Sequence, residues 1–125
     1  MAITRRPGAY HCGTDAALGV IGGRWKVVIL WALSERPARF GELRRLIPGV
    51  TEKVLASQLR ELEEDGIVHR RAYDQVPPRV EYSLTPEGRS LNEALIPLGI
   101  WGRDNVLGET YQPDAARTEA GRAAS

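Results

Sequence analysis

Few side chains in this chain suit covalent or metal chemistry. Cys12 is the one cysteine, and His11 and His69 are the two histidines. Together they make up the soft metal-ligand set, and their spacing matches no zinc pattern. His11 and Cys12 are adjacent in sequence, unlike the separated, converging pair that nucleophilic catalysis needs. Gly22-Gly23-Arg24-Trp25-Lys26 lacks the spacing of a phosphate loop, and breaking a helix is its simpler use. The expectation is therefore no enzyme, no cofactor and no metal.

A second set of residues suits binding. On a helix at about 100° per residue, Leu55, Leu59 and Leu62 set a core direction, and Lys53, Ser57 and Arg60 point nearly opposite, with Ala56 beside them. Arg and Lys read guanine edges or phosphates, and short side chains let a helix sit deep in a major groove. Thr51 and the backbone N–H groups behind it form a ready phosphate site. Arg36, Arg39, Arg44 and Arg45 cluster on and before the preceding segment as candidates for phosphate contacts that position without reading sequence. Gln75 and Arg79 are expected to act likewise from a loop and strand. The acids Glu61, Glu63, Glu64 and Asp65 gather at the far end of the same helix. A chain of net charge +1 can thus still present a basic face. Arginines on a helix are, taken alone, more often a solvated surface. Their setting decides between the two readings.

The elements that must position these residues follow from apolar periodicity and breakers. Thr14 and Asp15 are expected to cap a first helix with Ala16, Leu18 and Ile21 on its apolar side, ended by Gly22-Gly23. Trp25, Val28, Ile29, Ala32 and Leu33 have the spacing of one buried face on a second helix, closed by Pro37. Phe40, Leu43, Leu46 and Ile47 mark a third helix, stopped by Pro48-Gly49. Thr51 caps a fourth that runs to about Asp65, with Gly66 beyond it. Strands are expected over 67–73 and 79–84, the second with Val80, Tyr82 and Leu84 inward and Glu81 and Ser83 outward. The polar, Pro-rich link Asp74-Gln75-Val76-Pro77-Pro78 reads as an exposed loop. Thr85-Pro86-Glu87 starts a last helix carrying Leu91, Leu95, Leu98 and Trp101, kinked at Pro97. The Leu and Trp stripes are expected to be core.

Two helices joined by a tight turn, then strand, loop and strand, give an α+β winged helix-turn-helix: a three-helix core, a two-stranded wing and additional N- and C-terminal helices. Residues 1–11 read as a flexible arm, 12–107 as the domain, and 108–125 as a disordered tail with almost nothing to bury. At 125 residues there is room for one modest core. The longest apolar run, Val27 to Leu33, is too short for a bilayer. Arg5 and Arg6 have no apolar stretch behind them, so no secretory signal is expected. A single cysteine permits no internal disulfide and fits a reducing cytosol. The setting favours double-stranded DNA as partner. The alternative is a winged-helix module that binds only proteins, which an outward Leu-rich or aromatic face on 51–60 would have favoured.

The residues also carry a family resemblance. Cys12-Gly-Thr-Asp15, Ile21-Gly-Gly-Arg-Trp-Lys26, Phe40-Gly-Glu-Leu-Arg-Arg45, Gln58-Leu-Arg-Glu-Leu62, Asp65-Gly-Ile-Val68, Val76-Pro-Pro-Arg-Val-Glu-Tyr-Ser-Leu-Thr85 and Gly88-Arg-Ser-Leu91 resemble the HxlR-type transcription regulators in sequence and order. The likeness runs from about Cys12 to Gly102. It implies a cytoplasmic homodimer on an operator, acting as a repressor or as a regulator responsive to redox state or electrophiles. It also implies that the terminal helices, Asp15 to Ile21 and Glu87 to about Val106, build the dimer; the alternative is that they complete one monomer's core. Several members sense oxidants, quinones or aldehydes through a cysteine at the position of Cys12. The family often has Cys-Pro, a hydrophobic residue and Glu there, and this chain departs with Gly13, Thr14 and Asp15. Cys12 lies just before a helix N-terminus, with Arg5, Arg6 and His11 near in sequence, which favours thiolate. As a lone cysteine it is limited to alkylation, a small-thiol cap or a disulfide between protomers. The alternative is a cysteine that is simply packed.

Overall fold

The computed structural model describes residues 10–108. The expectations for Arg5, Arg6 and most of the arm, and for the tail from 109 onward, fall outside that range. The chain forms α1 (Gly13–Ile21), α2 (Arg24–Ala32), α3 (Phe40–Leu46), α4 (Glu52–Glu64), β1 (Val68–Tyr73), β2 (Arg79–Leu84) and α5 (Pro86–Gly102), followed by a π-helical turn at Arg103–Leu107. No helix among the described residues is long and apolar enough to cross a membrane. Two compact units divide after Ser90, within α5.

In the first unit the core is aliphatic. Ile29, Leu30, Leu43, Ile47, Leu55, Leu59, Leu62 and Ile67 are all buried. The start of α1 differs from the expectation. Cys12, in extended backbone, is the N-cap, and its Sγ accepts from the Asp15 N–H at 3.5 Å. Thr14 and Asp15 lie inside the first turn, where the acid suits the helix dipole. The buried face of α2 is also rotated from the expected one. Lys26, Ile29, Leu30 and Leu33 are buried, whereas Trp25, Val28 and Ala32 are half-buried. The helix ends at Ala32, well before Pro37. The segment beyond it leads to Ala38, which bridges Tyr82 by backbone hydrogen bonds of 2.9 and 2.8 Å.

The turn between α3 and α4 passes through Gly49, at a positive φ of 90°. Thr51 Oγ1 then accepts from the Val54 N–H at 3.1 Å, the expected N-cap. At the other end Gly66 takes φ 74°. Its N–H donates to Glu63 O and that of Ile67 to Leu62 O, a Schellman closure. Because Ile67 is held in that closure, β1 begins one residue later than expected.

β1 and β2 pair antiparallel, in a register from Val68↔Leu84 to Tyr73↔Arg79. The clean inward–outward alternation expected for β2 is not found. Only Leu84 is buried and the other five residues are half-buried, because a two-stranded hairpin leaves both faces partly open. Thr85 seats α5 on this base: its hydroxyl donates to Gly66 O at 2.6 Å and accepts from the Gly88 N–H at 3.0 Å.

The second unit is helical and continuous through Pro97. Its apolar side chains correct the expectation that the stripe is core. Leu98 is 57% and Trp101 59% exposed in the single chain, and Ile96, Ile100, Val106 and Leu107 are also exposed. On α1, in the first unit, Leu18 is exposed too. Helical spacing shows that a stripe wants cover, not which chain supplies it.

Candidate nucleic-acid interface

The α4 helix buries Leu55, Leu59 and Leu62 and turns the opposite side outward. Lys53, Ser57 and Arg60 are exposed there and Ala56 is half-buried beside them. By helix geometry the N–H groups of Glu52 and Lys53 lack intrahelical acceptors, and Thr51 itself is exposed at this end. A long cation, a small hydroxyl and a second cation are thus held on one rigid, water-facing surface.

The preceding helix contributes Arg44 and Arg45, exposed in its last turn, and Arg39 at its N-cap. Glu42 stabilises that start, since its carboxylate accepts the Arg39 N–H at 3.0 Å. Arg44 reaches Glu52 on the first turn of α4 at 3.9 Å, and Arg36 pairs with Glu42 at 3.5 Å. Both arginines are exposed, and the Arg44–Glu52 contact is weak.

The hairpin places Gln75 on the exposed loop 74–78. Arg79 lies at its base, half-buried, with its guanidinium 3.9 Å from the centre of the Tyr73 ring. Its Nε is buried without a hydrogen-bond partner. Arg71 stacks on the same ring at 4.7 Å, and Tyr73 donates from its hydroxyl to Glu81 at 3.1 Å. Stacking of this kind orients a guanidinium while leaving its outer N–H groups available. The Ala38–Tyr82 bridge ties this hairpin to the segment entering α3, so the wing is mounted beside the arginine-bearing helix.

Arg70 and Arg71, with His69 beside them, are exposed on β1 and form a further basic patch that the expected interface does not include. Their run of basic residues is its signal in the sequence. The α2 helix also contacts α4 through a polar cluster. Lys26 Nζ lies 3.5 Å from Glu61 Oε2, which also accepts from Gln58 Nε2 at 3.0 Å.

Cys12 is exposed. Beside it His11 Nδ1 lies 3.5 Å from the Asp15 carboxylate.

A short helix, a glycine turn, a second helix with a polar outward stripe and an antiparallel hairpin behind it define the winged helix-turn-helix class of DNA-binding proteins. The chain belongs, within that class, to the HxlR-like helix-turn-helix family, whose model matches residues 20–110. Among its relatives, the HTH-type transcriptional regulator YtcD of Bacillus subtilis is 49% identical over 105 residues, 82% of this chain and 83% of that one. The crystal structure of a ytcD regulator superposes with a TM-score of 0.72 at 49% identity, covering 77% of this chain and 98% of that one. The redox regulator HypR in its oxidised form gives 0.70 at 48% identity, covering 75% and 97%. Diamide-treated YodB from Bacillus subtilis gives 0.66 at 32%, covering 76% and 95%.

Proposed function

We propose that this chain is a cytoplasmic, sequence-specific regulator of transcription that grips operator DNA as a homodimer. The observation that carries this reading is the two-sided α4, with Leu55, Leu59 and Leu62 buried and Lys53, Ser57 and Arg60 exposed. In use, α4 enters the major groove, with Lys53 and Arg60 on base edges or the flanking phosphates and Ser57 and Ala56 allowing close approach. Thr51 and the free N–H groups of the first turn take a phosphate. Arg39, Arg44 and Arg45 hold the backbone on one side, and Gln75 and Arg79 hold it from the wing. Residues 12–107 form the working domain.

The exposed Leu98, Trp101 and Leu18 support a second copy as the cover for α5 and α1. Regulation through a thiol is the finer part of the proposal. HypR is named a redox regulator, and the YodB structure is of diamide-treated protein. Exposed Cys12 at the start of α1 is the residue through which this chain would respond to an oxidant or electrophile.

Fluorescence anisotropy on the gene's own upstream DNA and on a scrambled duplex, across a salt series, tests the reading. Tight, salt-dependent binding that prefers the upstream DNA supports a regulator. No binding to either duplex at low salt refutes it and favours a protein-binding module. Loss of binding after diamide in the native chain, but not in Cys12→Ser, supports the sensor, and an equal response of both removes Cys12 from that role.

A further inference from the structure

Lys26 is the one charged residue among the buried ones in the described chain, at 5% exposure. Its ammonium lies 3.5 Å from Glu61 Oε2 on α4, and the same oxygen accepts from Gln58 Nε2 at 3.0 Å. Glu61 is half open to solvent, so the pair sits where α2 meets the edge of the outward face of α4.

Stability does not account for a lysine here. Burying an ammonium carries a desolvation cost that a half-exposed partner repays poorly, and an apolar side chain of similar volume often does as well or better. An ion pair differs from apolar packing in being directional. The Leu55–Leu59–Leu62 stripe sets which side of α4 faces the core, while its apolar contacts lack the directionality of an ion pair, which adds a finer restraint on rotation about the helix axis. Glu61 follows Arg60 directly and lies one turn beyond Ser57, so anchoring its carboxylate fixes the angle at which both face outward.

We infer that Lys26, acting through Glu61, is a positioning residue that sets the rotational phase of α4 and hence which bases Arg60 and Ser57 can reach. This rests on the DNA-binding reading above. It adds a determinant of specificity that never touches DNA. Trp25, the adjacent residue, lies beside Gly49 in the turn before α4, so the first turn of α2 braces both the entry to α4 and its later turns.

The test uses the full chain with Lys26→Met, Glu61→Gln and the double variant. Three quantities are read: thermal midpoint, affinity for upstream and scrambled duplex, and amide hydrogen exchange over residues 53–64 without DNA. Lys26→Met is expected to melt no lower than the native chain and to bind scrambled duplex unchanged. Its preference for upstream DNA should fall about tenfold, near the worth of one good base contact, and exchange over 53–64 should rise. Glu61→Gln removes the same pair at a half-exposed position and should reproduce the loss, while the double variant loses no more than either single one. A preference within twofold of native together with unchanged exchange overturns the inference while leaving DNA binding intact. A native chain with no preference for upstream DNA refutes the DNA reading instead, and the exchange result alone then decides for or against Lys26.

Discussion

Replacing Gly88 by alanine asks how tightly α5 is seated on the base of the wing. Gly88 is in the first turn of α5 and buried, and its N–H donates to Thr85 Oγ1 at 3.0 Å. A Cβ there would run into the Ile67 carbonyl oxygen, with the carbonyl carbon at 3.2 Å and Ile67 Cγ2 at 3.4 Å. That carbonyl cannot turn away freely, because it accepts the Thr85 N–H at 3.1 Å and Ile67 is wholly buried. Alanine gains about 0.5–1 kcal/mol over glycine inside a helix. Overpacking a tight site costs about 1–3 kcal/mol, so a net loss of roughly 1–2 kcal/mol is expected. At about 4–8 °C per kcal/mol for a domain of this size, the thermal midpoint should fall by roughly 5–15 °C. Gly41→Ala is the control of opposite sign. It is also helical, but its nearest neighbour is the flexible end of Arg45 at 3.8 Å, so it should stabilise by about 0.5–1 kcal/mol. Thermal unfolding followed by circular dichroism measures both. A Gly88→Ala chain that melts at or above the native midpoint would refute the seating argument.

Lys53→Ala and Arg60→Ala should each weaken upstream-DNA binding by about 1–3 kcal/mol where the contact is to a base, and unchanged anisotropy titrations in both would place the groove-facing side elsewhere. Thr51→Ala removes the acceptor for the Val54 N–H and should cost about 1 kcal/mol of stability, whereas Thr51→Ser should retain most of it in denaturant unfolding. Arg70→Ala and Arg71→Ala should each lower the slope of log affinity against log salt by about 0.9 if they meet a phosphate, leaving the upstream preference intact; an unchanged slope removes them from the interface. Leu98→Glu combined with Trp101→Glu should convert a dimer to a monomer in analytical ultracentrifugation, and a native chain that sediments as a monomer would count against the dimer at the outset.

The parts of the fold legible in the sequence are those where several independent signals agree. For α4 the Thr51 cap, the Leu55–Leu59–Leu62 stripe and Gly66 all specify the same helix, and the structure reproduces it. The buried face of α2 differs from the expected one because it includes Lys26, which a hydropathy pattern assigns to solvent. Cys12 was not expected as the cap because sulfur is a weak acceptor, and Thr14 and Asp15 are better ones placed two and three residues too late. The stripe of α5 was legible as apolar, but its exposure was not, since covering by the same chain and by a second copy leave one sequence pattern. At the site, the outward residues of α4 followed from helical phase alone. The Arg71–Tyr73–Arg79 stack did not, because it depends on the register that sets Tyr73 opposite Arg79.

That register bears on how a nearly neutral chain can hold a polyanion. The helix proposed to enter the groove is itself acidic: Glu52, Glu61, Glu63 and Glu64 stand against only Lys53 and Arg60. General attraction to phosphates therefore cannot come mainly from α4. On the proposed reading it comes from Arg39, Arg44 and Arg45 on one side and from Arg70, Arg71 and Arg79 on the hairpin. Glu61 is engaged by Lys26, and Glu52 meets Arg44 only through an exposed contact of 3.9 Å. Glu63 and Glu64 lie in the last turn, remote from the end that Thr51 opens. An acidic recognition helix between basic flanks has a consequence for selectivity. Binding to arbitrary DNA gains from the flanks but meets repulsion wherever α4 approaches phosphates without a base contact to offset it. On that reading the same acids lower total affinity and widen the gap between the right sequence and the wrong one. The proposed division of labour rests on charge placement, with backbone grip assigned to arginines outside α4 and discrimination to the few cations on it.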